Sequence, residues 1–313
     1  MLRHDSRRMK TAFPLPLIAC VVMALLTYAH AESALVVFQT DFGVKDGAVS
    51  AMKGVAFGVS PTLKQFDLTH EIPAYNVWEA AFRLKQTSPY WPNNTVFVSV
   101  VDPGVGTARK AVVLRTKSGQ LFVGPDNGTF TFLAESPGVA ELREIDVPRQ
   151  RLKGSQDSYT FHGRDVFAYV GAKLAAGQLD FADVGPHLTN DVVRLAYQHA
   201  SVMHGVAVGG IPVLDPQYGN VWSNIGKELF LQLQPKFGDV FRVKISRANK
   251  TVLESRATYV ASFGEVPPGR PLLYLNSLLD VSFALNQGDF AKQFKIESGP
   301  DWSLELQKIS AKK

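Results

Sequence analysis

The residues with the clearest chemical potential follow a predicted buried strand. Residues 95–101 are rich in β-branched and aromatic side chains, which is typical of a parallel strand in a sheet interior. Asp102 comes next, and a turn containing one proline and two glycines separates it from Arg109. Ligands bind at the carboxyl ends of parallel strands, so this carboxylate and guanidinium are candidates for a functional site. The alternative is a structural ion pair at a turn, which is a common arrangement.

Other turns of the same half of the chain also carry polar side chains. The residues concerned are Asp41, Asp126, Asn127, His162, Arg164 and Asp165. The first three follow predicted strands, and the last three precede a predicted helix. A single aspartate is more often a turn cap and a single histidine more often structural. The convergence of several such turns on one edge of a sheet nevertheless favours a site.

The hydrophobic pattern predicts an α/β fold in the N-terminal half. Strands are predicted at 34–38, 63–68, 95–101, 111–114 and 121–123, and helices at 49–59, 76–85 and 166–174. Asp46 is predicted to cap the first helix, and Asn76 with Glu79 resembles a capping box for the second. This alternation predicts a mainly parallel sheet with helices on both faces.

The C-terminal third has a different hydrophobic pattern. Short strand-like runs occur at 206–215, 240–245, 257–263, 272–276 and 279–285, with few helix signals. They predict a smaller, mainly β, barrel-like domain. The predicted division is a large domain at residues 32–195 and a small domain at residues 203–310.

The N-terminus has the pattern of a secretory signal peptide. A basic segment precedes an apolar run from residue 15 to residue 26, and an A-x-A site ends at Ala31. Residues 1–31 are therefore predicted to be removed, which gives a periplasmic or secreted protein. Two alternatives are a lipoprotein anchored at Cys20 and a cytoplasmic protein whose start is misassigned. Met9 is an alternative start that would shorten the basic segment and keep the signal peptide.

Removal of this leader changes the charge. Of 33 basic and 28 acidic residues, 29 and 27 remain once Arg3, Arg7, Arg8, Lys10 and Asp5 are lost, a net charge of +2. No basic block is left to indicate nucleic-acid binding. Cys20 is the single cysteine, so no thiol or disulfide chemistry is expected. The sequence contains no P-loop or G-x-G-x-x-G fingerprint, and its histidines lack metal-ligand spacing.

Several motifs in order resemble one known family. They are TDFG at 40–43, DLTHEIP at 67–73, VDPGVGT at 101–107, GPDNG at 124–128, TFHGRD at 160–165, DPQYGNVWSN at 215–224 and YLNS at 274–277. Together they resemble the S-adenosyl-L-methionine (SAM) hydroxide adenosyltransferases, the SAM hydrolases related to fluorinase and chlorinase. The resemblance covers essentially the whole chain after residue 31.

The resemblance implies hydrolysis of SAM to adenosine and L-methionine without a metal or cofactor. The family's water-activating triad falls on Asp102, Arg109 and His162. Substrate-binding positions fall on Asp41, Tyr75, Phe161, Asp215, Tyr218, Asn220, Trp222 and Ser277. Asp41 matches the residue that holds the ribose diol, and Asp215 the one that contacts the methionine amine. The resemblance also implies a homotrimer whose active sites lie between the large domain of one subunit and the small domain of the next.

Two other functions are compatible with parts of this pattern. A halogenating enzyme has an aromatic residue where Asp102 stands, and Asp102 would repel a halide. Leu285 stands where the halogenating relatives have an arginine, and Tyr218 where phenylalanine is commoner. A non-catalytic exported protein that binds adenosine or a related nucleoside would keep Asp41 and the aromatic pocket. It would not require Asp102, Arg109 and His162 together.

Overall fold

The computed structural model describes residues 34–189 and 191–309. The predicted signal peptide, with Cys20 and the cleavage site at Ala31, lies outside these residues. Within the described ranges, no helix is both long enough and apolar enough to cross a bilayer.

The N-terminal half forms a sheet of seven strands. They are β1 (Leu35–Thr40), β2 (Lys64–Thr69), β3 (Val96–Val100), β4 (Ala111–Thr116), β5 (Leu121–Pro125), β6 (Val139–Glu144) and β7 (His187–Leu188). Their order is β2-β1-β3-β5-β4-β6-β7. The first four in this order are parallel, and the other three pairings are antiparallel. The carboxyl ends of β1, β2, β3 and β5 therefore share one edge.

Helices cover both faces of this sheet. They are α1 (Ala48–Val59), α2 (Val77–Thr87), α3 (Thr131–Leu133), α4 (Val147–Gln150) and α5 (Tyr169–Ala175), which continues from a π-helical turn at Gly163–Ala168. Phe38 of β1 packs in one core with Met52 of α1 and Val170 of α5. Its neighbour Val37 points the other way, into a core with Leu84 of α2. The alternating side chains of a buried strand thus serve two layers of helix.

The predicted caps are partly correct. Asn76 Oδ1 accepts a hydrogen bond of 3.0 Å from the N–H of Glu79, as the capping motif predicts. The first helix differs, because its N-cap residue is Gly47 and not Asp46. Asp46 instead accepts from the N–H of Ala48, at 2.9 Å, from one position further out.

The C-terminal part forms a second sheet of nine strands. They are β8 (Ser201–Met203), β9 (Val206–Ile211), β10 (Val213–Leu214), β11 (Val221–Gly226), β12 (Val240–Arg247), β13 (Lys250–Tyr259), β14 (Pro271–Leu275), β15 (Asp280–Leu285) and β16 (Gly299–Lys308). Two short helices accompany it, α6 (Lys227–Leu231) and α7 (Phe290–Phe294). The order is β10-β11-β15-β14-β13-β12-β16-β9-β8, and the one parallel pair in this sheet is β13–β14.

This sheet curls back on itself. The N–H of Gly210 in β9 donates to Asn224 Oδ1 in β11, at 2.7 Å, although the two strands are far apart in the sheet order. A Cβ at Gly209 would lie 2.5 Å from the same oxygen, so the close approach requires glycine. The curled sheet encloses Phe230, Phe241 and Trp302. The predicted fold class, an α/β part followed by a β-rich part, is confirmed. The sequence pattern does not predict β6, β7, β8, β11 and β16.

An aromatic cluster joins the two parts. Trp78 and Phe82 of α2 pack with Val213, Trp222 and Leu278 of the second sheet region. The indole N–H of Trp78 donates to the carbonyl of Pro212, at 2.6 Å, in a buried position. This cluster fixes α2, and with it the sheet edge, against the β-rich part.

The Trp78→Phe variant should lower the free energy of unfolding by about 1–3 kcal/mol, because the buried carbonyl of Pro212 loses its donor. Chemical denaturation followed by fluorescence measures the change. Trp302→Phe is the matched control, since the buried indole N–H of Trp302 has no hydrogen-bond partner within the described ranges. Equal losses in the two variants would show that the hydrogen bond contributes nothing.

Candidate active site

The turn after β3 folds Arg109 back onto Asp102. Gly104 makes this possible, because a Cβ there would lie 3.2 Å from Arg109 Cγ and 3.3 Å from Thr107 Oγ1. Gly106 has a φ of +78°, a left-handed conformation that favours glycine. The hydroxyl of Thr107 closes the turn by donating to the carbonyl of Gly104, at 2.6 Å.

Arg109 is hydrogen-bonded to both Asp102 and His162. Its Nε lies 3.0 Å from each carboxylate oxygen of Asp102, and its Nη2 lies 2.5 Å from Oδ2. The same Nη2 lies 3.2 Å from Nδ1 of His162. A guanidinium can only donate, so Nδ1 accepts, and the proton of a neutral imidazole sits on Nε2. The side chains of Asp102 and Arg109 are only 5% and 11% exposed, so the pair is shielded from water.

The surroundings favour the neutral form of His162. Burial lowers its pKa below the ordinary value of 6.5, and the positive charges of Arg109 and Arg151 lower it further. The carboxylates of Asp102 and Asp165 act in the opposite direction but do not reverse the shift. The imidazole is therefore uncharged at pH 7 and can keep accepting from Arg109.

Asp102 and His162 line a cavity of about 290 Å³ at the carboxyl edge of the sheet. Asp41, Tyr75 and Phe161 line the same cavity. The carboxylate of Asp41 accepts from the backbone N–H of Tyr75, at 2.8 Å. The structure thus brings together Asp41, Tyr75 and Phe161 with Asp102 and His162, as the resemblance implies.

A hydrogen-bonded chain holds the turn of Asp41 from behind. Thr40 Oγ1 accepts from the N–H of Phe42, at 3.2 Å, and lies 2.8 Å from Nδ1 of His70. Nε2 of His70 lies 3.0 Å from Asp67, which Lys53 also contacts at 2.6 Å. The DLTHEIP motif is part of the family resemblance, but the sequence alone assigns no role to its histidine. The position of His70 just after a predicted strand is a signal for this role, because a histidine there can hydrogen-bond to the end of the neighbouring strand.

A second and larger cavity lies in the β-rich part. Its volume is about 640 Å³. It is lined by five residues that the resemblance assigns to substrate binding, namely Asp215, Tyr218, Asn220, Trp222 and Ser277. Sequence reasoning did not identify Tyr274, Gln287 and Asp289, which line the cavity as well, and Leu285 is also present. Among the described residues, this lining contains two aspartates and neither lysine nor arginine. A cationic ligand is therefore favoured there.

A tight turn sets the position of Asp215. Its Oδ1 accepts from the N–H groups of Gln217 and Tyr218, at 3.1 and 3.3 Å. Gly219 closes the turn at a φ of +65°, and a Cβ at that position would overlap the carboxylate of Asp289. The DPQYG sequence thus places two carboxylates on one wall of the cavity. Burial and the charge of Asp215 raise the pKa of Tyr274 to about 12, which keeps its hydroxyl protonated.

Three of the polar turn residues have structural roles instead. Asn127 Nδ2 donates to the carbonyl of Val101, at 2.8 Å, and thereby holds the end of β3. Asp126 accepts from the N–H of Val193, at 2.9 Å. Asp165 is fully buried and pairs with Arg164 at 2.6 Å. None of the three lines the cavity that contains Asp102, because each carboxylate or amide is directed at backbone or at a neighbouring side chain.

No metal-binding cluster is found in the part of the chain that the structure describes. There, no three histidine, cysteine, aspartate or glutamate side chains are grouped so that they could hold an ion.

Comparison with known proteins identifies the family. Residues 36–185 match the SAM hydroxide adenosyltransferase N-terminal domain, and residues 209–303 match the C-terminal domain of the same family. The chain belongs to the SAM hydroxide adenosyltransferase family.

Similar proteins carry two kinds of name. The (R)-S-adenosyl-L-methionine hydrolase of Methanocaldococcus jannaschii is 34% identical over 235 residues, 74% of this chain and 81% of the relative. The hydrolase of the same name from Salinispora arenicola is 34% identical over 84% of this chain and 94% of its own length. A fluorinase of Actinoplanes is 27% identical over 85% of this chain and 95% of its own length. A crystal structure of an uncharacterised conserved protein from Thermotoga maritima matches with a TM-score of 0.80 and 38% identity. The match covers 87% of this chain and 99% of the Thermotoga chain.

His162 should titrate below its ordinary pKa of 6.5, because burial and two nearby arginines oppose protonation. NMR titration of the imidazole measures this directly, with the signal assigned from a His162→Asn variant. A midpoint for His162 at or above the ordinary value of 6.5 would contradict the neutral imidazole described above.

Proposed function

We propose that the protein hydrolyses SAM to adenosine and L-methionine by attack of water on C5′ of the ribose. One observation carries the proposal, namely that Asp102, Arg109 and His162 form a shielded hydrogen-bonded trio beside a cavity that also contains Asp41. The names of the hydrolase relatives support it. The proposal assigns the reaction to side chains of the chain, with no cofactor.

The reaction exchanges one bond to C5′ for another. The water oxygen forms the new bond to C5′, the C5′–S bond breaks, and its electron pair stays on sulfur as the neutral thioether of methionine. The water gives up one proton. Because a partial hydroxide and a sulfonium neutralise each other, a site of low dielectric constant favours the transition state.

Asp102, Arg109 and His162 are proposed to have different roles, which follow from their protonation states. Asp102 is the proton acceptor, because Nδ1 of His162 is already occupied by Arg109. Arg109 places a positive charge next to the oxygen that becomes hydroxide-like. Neutral His162 accepts from Arg109 and so helps to hold the guanidinium against the Asp102 carboxylate. Bulk water has a pKa of about 15.7, so an oxygen nucleophile needs this assistance at neutral pH.

The two cavities account for the rest of the substrate. Asp41 is proposed to accept from the ribose diol, with Tyr75 and Phe161 against the sugar. In the second cavity, Asp215 is proposed to bind the methionine amine. Tyr218, Asn220, Trp222 and Ser277 are proposed to surround the adenine and the amino-acid chain. The uncompensated negative charge of this cavity fits a substrate that carries a sulfonium and an ammonium group.

The complete site is proposed to form between copies of the chain in a homotrimer. The catalytic cavity and the larger cavity share no lining residue within one chain. Tyr75 is 73% exposed beside the first cavity, and Tyr218 is 65% exposed beside the second. Exposed aromatic side chains at both sites suit a contact in which a neighbouring subunit covers them.

Export by the predicted signal peptide stays a prediction.

Hydrolysis is favoured over the two other functions. In the catalytic cavity, the negative charge of Asp102 would repel a halide. In the other cavity, Leu285 stands where the halogenating relatives have an arginine, so that positive charge is missing. A protein that only binds nucleosides would have no use for a neutral histidine and a shielded ion pair in one hydrogen-bonded group.

The full chain incubated with SAM in ¹⁸O-labelled water should release adenosine that carries the label in its 5′-hydroxyl. Because the relatives are named for the (R) sulfonium, both sulfonium epimers are supplied, and the (R) form should react faster. Asp102→Asn should lower kcat by about 10²–10⁴-fold, since the proton acceptor is lost. Mass spectrometry of the products measures both effects.

Asp46→Asn is the matched control for this experiment, because Asp46 is exposed and its amide replacement still accepts from Ala48. It should react like the wild type. SAM binding without turnover would favour the nucleoside-binding function, and a 5′-halo product would favour halogenation. Unlabelled adenosine would exclude water as the nucleophile.

Mixed trimers test the shared site. Asp102→Asn removes the proton acceptor of one cavity, and Asp215→Ala alters the other, so each homotrimer should be nearly inactive. Co-expressed and co-purified mixed trimers should recover about a third of the wild-type activity, because one of the three interfaces in each mixed trimer combines two intact halves. Analytical ultracentrifugation gives the oligomeric state. No recovery in verified mixed trimers would place both halves of the site in one chain.

A further inference from the structure

Arg151 is a buried arginine that organises the segment leading to His162. It follows α4 directly and is only 6% exposed. Its Nε donates to Ser155 Oγ at 3.0 Å, and its Nη2 donates to the carbonyls of Ser155 and Ser158 at 2.5 and 2.9 Å. One guanidinium thereby ties together three acceptors of a loop that has little regular secondary structure.

The same guanidinium is linked to His162 through an aromatic ring. The Arg151 guanidinium carbon lies 4.5 Å from the ring centre of Tyr159. The Tyr159 ring lies 6.4 Å from the imidazole of His162, at an interplanar angle of 70°. Arginine stacks on aromatic faces, and rings pack edge to face at such distances. The contacts therefore run without interruption from Arg151 to the trio.

Arg151 differs from the other shielded arginines in its charge balance. Arg83, Arg109 and Arg143 each contact a carboxylate. Within the described ranges, Arg151 has no carboxylate in contact, and its buried Nη1 has no hydrogen-bond partner. Burial of an uncompensated cation is unfavourable, so a structural loop clamp alone does not account for it. Its charge acts on its neighbours instead of being neutralised locally.

We infer that Arg151 is a positioning residue for the trio, which holds the ring of His162 where it accepts the hydrogen bond of Arg109. A protonated imidazole would carry N–H groups at both nitrogens, and Nδ1 would then oppose the donor of Arg109. The charge of Arg151 makes that protonated form unfavourable. The catalytic meaning of this role rests on the proposed hydrolase function, whereas its effect on His162 does not.

The charged groups acting on His162 come from three elements. Arg109 and Asp102 belong to the turn after β3, Asp165 to the π-helical turn, and Arg151 to the loop after α4. The first two form a closely paired ion pair, and Asp165 is paired with Arg164. Arg151 is thus the one of these groups whose charge has no paired counter-ion among the described residues.

The test compares Arg151→Met and Arg151→Lys in the full chain. In Arg151→Met, the NMR titration midpoint of His162 should rise, and the acidic limb of kcat/KM should move to higher pH by the same amount. In Arg151→Lys, the charge remains, so both midpoints should stay near those of the wild type. Lysine cannot supply the same three donors or the planar stack, so kcat should still fall about 10- to 100-fold. Arg149→Met, on the exposed side of α4, is the matched control and should change neither quantity.

The outcomes separate this inference from the proposed function. A wild-type titration midpoint in folded Arg151→Met would overturn the inference, whatever the activity. If that variant does not fold, Arg151→Lys and Tyr159→Leu decide: unchanged kcat in both would overturn it, and a fall in both would support it. If the wild type does not hydrolyse SAM but the midpoint moves as expected, the proposed function fails and the positioning role stands.

Discussion

The structure of the site depends on the guanidinium of Arg109, which links Asp102 with His162. Nδ1 of His162 and the carboxylate oxygens of Asp102 are all acceptors, so a donor with two directions must lie between these atoms. The planar fork of arginine meets this need, and a lysine would not. Because the pair is shielded, its hydrogen bonds are strong, and loss of one partner would leave a buried charge.

Much of the surrounding polar structure serves to hold such groups in place. The chain from Lys53 through Asp67 and His70 to Thr40 fixes the turn that carries Asp41. Asn127 fixes the end of β3. These side chains reach backbone atoms of strand ends, where the sheet ladder no longer constrains the chain. A site at a sheet edge therefore needs a second set of polar residues that do not touch the substrate.

Sequence reasoning predicted the α/β order and the parallel strands, because buried strands and amphipathic helices leave strong local patterns. It was less successful in the second sheet. β11 was missed because its buried face includes the polar Ser223 between Val221 and Ile225. β16 does alternate, with Trp302, Leu304 and Leu306 buried, and that signal was overlooked. The roles assigned to the predicted site residues remain predictions, although all of these residues except Arg109 line one of two cavities.

The sequence by itself determined which chemistry the protein carries, since the order and spacing of its motifs point to one family and one set of acids, bases and aromatic residues. It also placed Asp102 and Arg109 at the two ends of one glycine-rich turn. Only the tertiary structure decided that His162, 53 residues further along, accepts from Arg109, and that the unpaired charge of Arg151 lies near it. Local rules cannot give such facts, because distances between distant residues depend on how the whole sheet and its helices pack.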